Sequence, residues 1–399
     1  MARDGSESEA ERVTAARGLA SGVGAALLAV GVTARIFASL RRRVNRLQLR
    51  DTTSAGEGLT PADVLLGGSA LAGMYEPISD EDVFLVLKEA LDLGVRGVDT
   101  APHYGLGISE ERIGSFFRQL RQIPNSLSAR AQDVRVYTKV GRLIRLRSEV
   151  GKTVDPVHVQ WDNAFDSDDC IFKGIPEDRV SVADYSAEGA SSSHRESSDR
   201  LEGCEVHGLR VHDCETDFLL EQTLGEGGAL EGIARLKREG KISSVGIGVN
   251  DPEYALRVLQ SPRGKDVDCV MIAGSWNLLD QSAYSLLLHC QRSGVEVHNA
   301  GVFASGLIVG GNTVRYQPAQ RAMIDKARRW RVLCQRHDCK IAEVALAFAF
   351  LPKCVKKIAV GVKTVGELRE SLQAAGRPVP RELWQDARRE GLIVPGLKF

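Results

Sequence analysis

Short apolar segments alternate with amphipathic segments along most of this chain. Eight apolar segments have the length and composition of buried strands, and they lie at 64–70, 94–99, 134–140, 205–212, 242–249, 267–273, 296–303 and 357–362. Apolar residues at helical spacing predict helices at 80–93, 109–121, 188–203, 226–239, 251–261, 281–293, 318–350 (two helices) and 365–375. Eight strand–helix units are the number that closes a barrel. The sequence therefore predicts an α/β fold, a (β/α)8 TIM barrel.

Residues 1–45 precede this pattern and are predicted to form an N-terminal extension, with the barrel domain at 46–399. The run GLASGVGAALLAVGVTA at 18–34 carries no charge, and arginines follow it. The run is at the lower limit for crossing a bilayer, and its acidic start is unlike a secretory or mitochondrial signal. Three interpretations stay open: a loosely ordered extension, a weak membrane or targeting segment through residues 18–46, and an artefact of the gene assignment. We favour the first.

One connection is too long for a barrel turn. Residues 142–187, after the third predicted strand, are rich in Asp, Ser and Gly, and such loops are uncommon unless they are functional or disordered. In a barrel, this connection leaves the face where catalysis takes place. We expect a lid over the substrate around Trp161 and Phe172, with mobile parts; a flexible insertion is the alternative.

The composition excludes some classes of function. The 399 residues include 52 basic and 52 acidic ones, which removes the electrostatic basis for nucleic acid as a main partner. The eight cysteines form no Cys-x-x-Cys pair, so reduced thiols of a cytoplasmic protein are expected, and neither a disulfide framework nor a metal site is predicted. The expected partner is a small molecule.

Polar side chains stand where three consecutive predicted strands end. Asp99 ends the second strand, and Tyr104 follows it in a glycine-rich turn. Lys139 lies at the end of the third strand, and His212 ends the fourth. Because neighbouring parallel strands are about 5 Å apart, these side chains are expected to converge. A lysine lowers the pKa of an adjacent phenol, and a histidine orients a substrate oxygen, so the group suits proton transfer during hydride chemistry. Taken by itself, each of these residues would be interpreted as an ordinary solvated side chain at a strand end.

Five segments carry a resemblance to a known family. The segments DTAPHYGLGISEERIG, VYTKVGR, RVHD, GIGVN and NLLDQ resemble the aldo-keto reductases, between residues 62 and 375. Within that family, DTAPHYGLG, TKVGRL and AGVFASGLIVGG are most similar to the branch of aldose 1-dehydrogenases. These enzymes oxidise the anomeric hydroxyl of a sugar such as L-fucose, D-arabinose or L-galactose to a lactone. The family's catalytic residues map onto Asp99, Tyr104, Lys139 and His212.

The resemblance implies an NAD(P)-dependent oxidoreductase acting on a sugar or carbonyl compound. Two alternatives stay open. One is a general aldehyde or ketone reductase, or a pyridoxal dehydrogenase-like enzyme, in the same fold; the connection at 142–187 would decide between such substrates. The other is a non-catalytic redox-sensing barrel subunit, against which the complete set of four residues argues.

The resemblance also implies a nicotinamide cofactor held without a Rossmann fold, and no GxGxxG motif follows a strand here. Asn250 would bind the nicotinamide carboxamide, and Trp276 would lie against the nicotinamide ring. The residues that would line the pyrophosphate and the adenosine are Phe303, Ser305, Gly306 and Leu307, then Gly361, Lys363 and Glu367. The alternatives are a helix cap at Asn250, core packing of Trp276 and a plain loop at 303–307.

One charge favours NAD over NADP. Glu367 falls where NADP-using relatives place an arginine for the 2′-phosphate. A carboxylate repels phosphate but accepts a ribose hydroxyl. Lys363 lies near enough to keep NADP as the alternative.

A second charge has no evident partner in the sequence. Strand alternation places Arg210 on the same face as His212, inside the barrel. An unpaired charge there would be costly.

Overall fold

Eight parallel strands close into a barrel in the order in which they occur along the chain, as predicted. The computed structural model describes residues 46–53, 58–122, 126–202, 204–314 and 317–397, so the predictions for residues 1–45 lie outside the described chain. The barrel belongs to the unit formed by residues 48–399. Its strands are β1 (Val64–Gly67), β2 (Gly97–Asp99), β3 (Arg135–Val140), β4 (Val206–His212), β5 (Ser244–Val249), β6 (Cys269–Ala273), β7 (Glu296–Ala300) and β8 (Val355–Val360). The C-terminal ends of β2 to β6 fall at the predicted residues.

The barrel strands are buried on both faces, which explains their nearly continuous apolar sequences. In β5, Val245 and Ile247 are fully buried on the outer face. Gly246 and Gly248 alternate with these two residues along the strand, and they leave room inside the barrel for long polar side chains. A Cβ atom on Gly246 would lie 3.2 Å from Cγ of Arg210, and one on Gly248 would lie 3.7 Å from Cε of Lys139.

Helices follow the strands around the barrel. They are α1 (Gly68–Leu71), α2 (Asp80–Asp92), α3 (Ile108–Gln122), α4 (Ser126–Ala131), α5 (Ala187–Arg200), α6 (Asp217–Leu224), α7 (Ala229–Arg238), α8 (Pro252–Gln260), α9 (Tyr284–Ser293), α10 (Arg321–Arg336), α11 (Ile341–Phe350), α12 (Val365–Ala375) and α13 (Arg381–Arg389). The segment 318–350 contains two helices, as predicted, whereas the short helices α4, α6 and α13 are not predicted. Among the described helices, none has both the length and the apolar content needed to cross a bilayer.

The long connection after β3 is present as predicted, and it is folded. Strands Arg142–Leu146 and Arg179–Ala183 pair antiparallel, and we call residues 142–183 the hairpin segment. Phe172 in this segment is 3% exposed, whereas Trp161 is 43% exposed. Phe172 packs against the ring of Tyr104 at a centroid distance of 6.0 Å, whereas Trp161 lies on the surface; a lid over the substrate stays a prediction. A smaller two-stranded ladder pairs Thr313–Val314 with Gln317–Pro318.

Candidate active site

Strands β2, β3 and β4 bring the predicted catalytic residues to the C-terminal edge of the barrel. Asp99 is the last residue of β2, Lys139 is next to last in β3, and His212 ends β4. Tyr104 lies in the turn between β2 and α3, where Gly105 has a left-handed φ of 64°. Glycine adopts this conformation without steric cost, and the turn returns the Tyr104 side chain towards the strand ends.

Lys139 is held by three acceptors. Its Nζ atom donates to Oδ2 of Asp99 at 2.8 Å, to the carbonyl oxygen of Thr100 at 2.8 Å and to the hydroxyl oxygen of Tyr104 at 3.0 Å. An ammonium group has three N–H donors, so these contacts fix it. The side chain of Lys139 is 2% exposed, and the predicted link between the phenol, the ammonium and the carboxylate is present in the structure.

The electrostatics of Tyr104 differ from the expectation. Burial raises its pKa well above the ordinary value, the carboxylates of Asp99 and Asp213 add to the rise, and Arg210 only partly opposes it. Burial also lowers the pKa of Lys139, although Asp99 counteracts this. The expected lowering of the phenol pKa is therefore wrong for the protein alone, because burial raises this pKa.

His212 is a neutral imidazole next to the phenol. Its ring centroid lies 5.8 Å from that of Tyr104, edge to face. Burial, together with the positive charges of Arg142 and Lys139, holds the pKa of His212 well below its ordinary value. Its Nε2 atom is 3.5 Å from Oδ2 of Asp213. Nδ1 is buried without a hydrogen-bond partner among the described residues. A neutral imidazole can bind a substrate oxygen without a permanent charge.

Arg210 has a partner that the sequence did not reveal, the carboxylate of Asp99. Its guanidinium donates to Oδ1 of Asp99 and lies 2.7 Å from Nδ1 of His298. It also lies over the ring of Tyr137, 4.5 Å from the centroid. Asp99 thus joins two buried cations, Lys139 and Arg210, and this pairing explains how an arginine can be buried inside the barrel.

His103 is a second histidine in the site that sequence reasoning missed. Its ring lies 5.9 Å from that of His212 and 6.2 Å from that of Phe172. Phe172 in turn lies 6.0 Å from the ring of Tyr104. His103 directly precedes Tyr104 in the sequence, and this adjacency could have indicated that His103 belongs to the site.

Arg142 and Asp213, also missed, form an ion pair beside His212. Nη2 of Arg142 lies 3.1 Å from Oδ2 of Asp213. The hydroxyl of Tyr185 donates to the backbone carbonyl of His212 at 2.5 Å and is hydrogen-bonded with Arg142. Asp213 directly follows one predicted strand end and Arg142 lies two residues after another, which was a signal, but their pairing depends on how the hairpin segment folds.

Asn250 follows the end of β5 and turns its side chain towards the catalytic edge. Its Nδ2 atom donates to Oε2 of Glu215 at 3.0 Å and lies 3.4 Å from Oδ1 of Asp213. The backbone N–H groups of Asn250 and Asp251 donate to Oε1 of Glu215. The cap of helix α8 is Asp251 and not Asn250. The side-chain amide is therefore held by Glu215 and Asp213 rather than used to begin the helix.

Trp276 does not lie at the catalytic surface. Its side chain is fully buried, and its ring stacks on that of Phe348 at a centroid distance of 5.1 Å. Trp330 and Trp384 contact the same phenylalanine ring. The expectation of a nicotinamide-facing ring at this position is corrected to core packing, because a fully buried indole has no free face for a second ring.

The predicted pyrophosphate loop follows β7 directly. Ser305 and Gly306 have left-handed φ values of 53° and 91°. Ser305 is hydrogen-bonded to the hydroxyl of Tyr75. Phe303 is partly exposed, whereas Leu307 is 2% exposed and anchors the loop in the core. This loop lies at the same edge of the barrel as Asp99 and His212.

The predicted adenosine segment begins helix α12. Oγ1 of Thr364 accepts from the backbone N–H of Glu367 at 3.1 Å, and Oε2 of Glu367 accepts from the backbone N–H of Lys363 at 2.8 Å. Nζ of Lys363 is 3.5 Å from Oε2 of Glu76, and Gly361 is exposed just after β8. Glu367 therefore places a carboxylate at the N-terminus of this helix.

The closed barrel with polar side chains at its C-terminal edge is the plan of TIM-barrel enzymes. The sequence profile of the Aldo/keto reductase family matches residues 63–388. Since this match covers most of the chain, the protein belongs to that family of oxidoreductases, whose members use nicotinamide cofactors.

Several characterised proteins are similar along most of their length. The chain is 29% identical to pyridoxal 4-dehydrogenase of Microbacterium luteolum over 353 residues, which is 84% of this chain and 96% of that protein. It is 28% identical to D-threo-aldose 1-dehydrogenase of a Pseudomonas species over 349 residues, with coverages of 86% and 98%. It is 26% identical to L-galactose dehydrogenase of Arabidopsis thaliana over 317 residues, with coverages of 79% and 85%.

Solved structures share the fold. The holo form of an aldo-keto reductase from Bacillus halodurans superposes with a TM-score of 0.59 at 18% identity, covering 86% of this chain and 96% of that one. A glycerol dehydrogenase from Gluconobacter oxydans gives a TM-score of 0.58 at 17% identity, with coverages of 89% and 99%.

Proposed function

We propose that this protein oxidises the anomeric hydroxyl of an aldose to a lactone, with L-fucose, D-arabinose and L-galactose as the expected kinds of substrate. The observation that carries the proposal is the buried ammonium of Lys139, which contacts both the hydroxyl of Tyr104 at 3.0 Å and the carboxylate of Asp99 at 2.8 Å. The aldose specificity is supported by the relatives named for D-threo-aldose and L-galactose. The proposal makes Asp99, Tyr104, Lys139 and His212 the catalytic residues.

The chain's own groups account for the proton transfer. Tyr104 exchanges a proton with the substrate oxygen, and Lys139 stabilises the phenolate through its 3.0 Å contact. Asp99 keeps Lys139 charged, and neutral His212 binds the substrate oxygen so that the reacting carbon is oriented. Asn250 and the loop at Ser305 and Gly306 would hold a nicotinamide cofactor, which would supply hydride acceptance or donation; its positive charge when oxidised would oppose the raised pKa of the Tyr104 phenol.

A second candidate is carbonyl reduction, with Tyr104 as the acid. The contact between the Tyr104 hydroxyl and the ammonium of Lys139 at 3.0 Å supports it, because a phenol beside an ammonium group can donate its proton to a substrate oxygen. Pyridoxal belongs in the same comparison, since a relative with 29% identity is named pyridoxal 4-dehydrogenase.

Residues along one side of the barrel, from β5 to β8, fit a dinucleotide. Asn250 supplies an amide that suits the carboxamide, and the left-handed backbone at Ser305 and Gly306 leaves open space, since a Cβ atom on Gly306 would meet nothing within 4 Å. Glu367 supports a preference for NAD, because its carboxylate at the start of α12 would repel a 2′-phosphate. Lys363 is already engaged with Glu76.

The test follows the absorbance of reduced nicotinamide with NAD and with NADP, over a panel of aldoses, simple aldehydes and pyridoxal. We expect turnover of aldoses with NAD, and Tyr104→Phe is expected to abolish it while cofactor binding persists. Tyr254→Phe, which alters a tyrosine on α8 outside the site, is the matched control. Retained activity of Tyr104→Phe would remove the tyrosine from the mechanism, and cofactor binding without turnover of any compound would favour the redox sensor.

A further inference from the structure

Three side chains adjoin His212 without a part in the proposed proton transfer: His103, Arg142 and Asp213. The ring of His103 is 5.9 Å from that of His212, and Oδ2 of Asp213 is 3.5 Å from its Nε2 atom. Arg142 lies 3.1 Å from the same carboxylate oxygen. The three groups therefore surround the residue that is proposed to hold the reacting oxygen.

The protonation of His103 is set by the hairpin segment. Nδ2 of Asn163 lies 3.3 Å from Nδ1 of His103 and donates to its backbone carbonyl at 3.2 Å. With the amide NH2 group of Asn163 as the donor in this contact, Nδ1 accepts and the ring proton sits on Nε2; Nδ1 also lies 3.5 Å from Oγ of Ser181. Burial, with the charges of Arg142 and Lys139, lowers the pKa of His103 well below its ordinary value. His103 is thus a neutral imidazole with one N–H donor not used by Asn163.

Arg142 and Asp213 carry signs of a site built for a ligand. Nε of Arg142 is buried without a hydrogen-bond partner among the described residues, and a buried donor left unpaired is unfavourable. Asp213 has a left-handed φ of 46°, a conformation uncommon for residues other than glycine, and uncommon backbone conformations are concentrated at functional sites. This backbone conformation places a carboxylate next to a guanidinium directly after His212.

We propose that His103, Arg142 and Asp213 form a subsite that binds the hydroxyl group on the carbon next to the reacting carbon. The carboxylate accepts a hydrogen bond from the substrate hydroxyl, and the guanidinium and the imidazole donate hydrogen bonds to the hydroxyl oxygen. The substrate class is therefore 2-hydroxy carbonyl compounds and their cyclic hemiacetals. The assignment of the reacting carbon to the position beside His212 rests on the proposed function.

The test compares substrates that differ by this one hydroxyl group: L-galactose and 2-deoxy-L-galactose, both oxidised with NAD. In the wild type, kcat/KM is expected to be about 10- to 100-fold higher for L-galactose, as for a hydroxyl bound by charged groups. Arg142→Gln and Asp213→Asn are expected to reduce this ratio to below about 3-fold, chiefly through KM for L-galactose. Asn tolerates the left-handed conformation, so Asp213→Asn tests the charge and not the backbone.

Arg147→Gln is the matched control. It breaks an ion pair of the same hairpin segment, in which Nη2 of Arg147 lies 2.7 Å from Asp166, but on the exposed surface. Its substrate ratio is expected to equal that of the wild type. Thermal unfolding and cofactor binding, measured on every variant, separate a lost subsite from a lost fold.

A second substrate pair separates failure of the subsite from failure of the proposed function. Glycolaldehyde and acetaldehyde differ by the same hydroxyl group, and both are assayed as reductions. If no aldose is oxidised but the preference for glycolaldehyde disappears in Arg142→Gln, the aldose function is wrong and the subsite stands. If the variants lower both members of a pair equally, the residues only position His212 and the subsite is overturned. A wild type that turns over no hydroxylated member, or prefers none, overturns it as well.

Discussion

Asp99→Asn removes the carboxylate that contacts two buried cations. The side chains of Asp99, Lys139 and Arg210 are 5%, 2% and 1% exposed. Together they carry a net charge of +1. Asp99→Asn raises this net charge to +2, whereas Arg210→Met lowers it to zero. Although each substitution breaks a contact of the same cluster, the two should therefore differ in their effect on stability.

The expected magnitudes follow from the burial of the cluster. Removing one partner of a buried ion pair costs about 3–5 kcal/mol, and Asp99→Asn should reach this range because two cations lose their counter-charge. Arg210→Met leaves the contact between Lys139 and Asp99 intact and deprives Asp99 and His298 of one donor each. Its expected cost is about 1–3 kcal/mol.

The assay is urea unfolding at pH 7, followed by tryptophan fluorescence, with the free energy of unfolding compared between the wild type and both variants. Asp99→Asn should also lower kcat/KM strongly, because Asp99 opposes the lowering of the Lys139 pKa and its loss favours an uncharged amine. An Arg210→Met variant destabilised as much as Asp99→Asn would refute the charge argument, since packing alone would then explain both.

Three further predictions follow from other parts of the structure. Burial, with the neighbouring charge of Arg210, holds the pKa of His298 well below 6.5, so the unfolded chain protonates first as the pH falls. As the pH falls from about 6.5, the free energy of unfolding should then decrease by up to about 1.4 kcal/mol per pH unit for this residue. In urea titrations between pH 7 and pH 5, His298→Gln should make this decrease smaller. Glu367→Arg should raise the ratio of kcat/KM for NADP to kcat/KM for NAD by at least about tenfold, equivalent to about 1.4 kcal/mol. The control variant Glu370→Arg, on the same helix, should leave this ratio unchanged. Equal shifts in the two variants would point to a general charge effect. Gly141→Ala should cost more stability than Gly151→Ala. Both glycines have positive φ, but a Cβ atom at Gly141 would lie 2.7 Å from the ring of Tyr185, whereas one at Gly151 would meet nothing within 4 Å. The expected difference of about 1–3 kcal/mol in unfolding free energy would be absent if Tyr185 could move aside freely.

The sequence predicts the barrel and the contacts of Lys139 because both depend on local patterns. Asp99, Lys139 and His212 stand where apolar runs end, and parallel strands carry such positions to one edge. The contact between Arg210 and Asp99, 111 residues apart, depends on which strands are neighbours in the closed barrel. Strand alternation gives the direction of Arg210 but not its partner.

Other features of the site could not be predicted from the hydrophobic pattern of the sequence. The pairing of Arg142 with Asp213 requires the fold of the hairpin segment, which has no regular repeat. Trp276 stands in the sequence where the resemblance implies a ring that faces the nicotinamide. Its burial was not predictable, because Phe348, which stacks on it, belongs to a helix far away in the sequence. The raised pKa of Tyr104 also escaped prediction, because desolvation depends on every residue packed around the phenol.

The buried row from Lys139 through Asp99 and Arg210 to His298 spans strands β2, β3, β4 and β7. Its members hold one another through buried contacts between charged and polar groups. Moving the proposed reaction onto another eight-stranded barrel would therefore need this whole row, with the glycines of β5 that make space for it. Copying only Tyr104 and His212 would leave the phenol without the ammonium of Lys139 and the carboxylate that holds it.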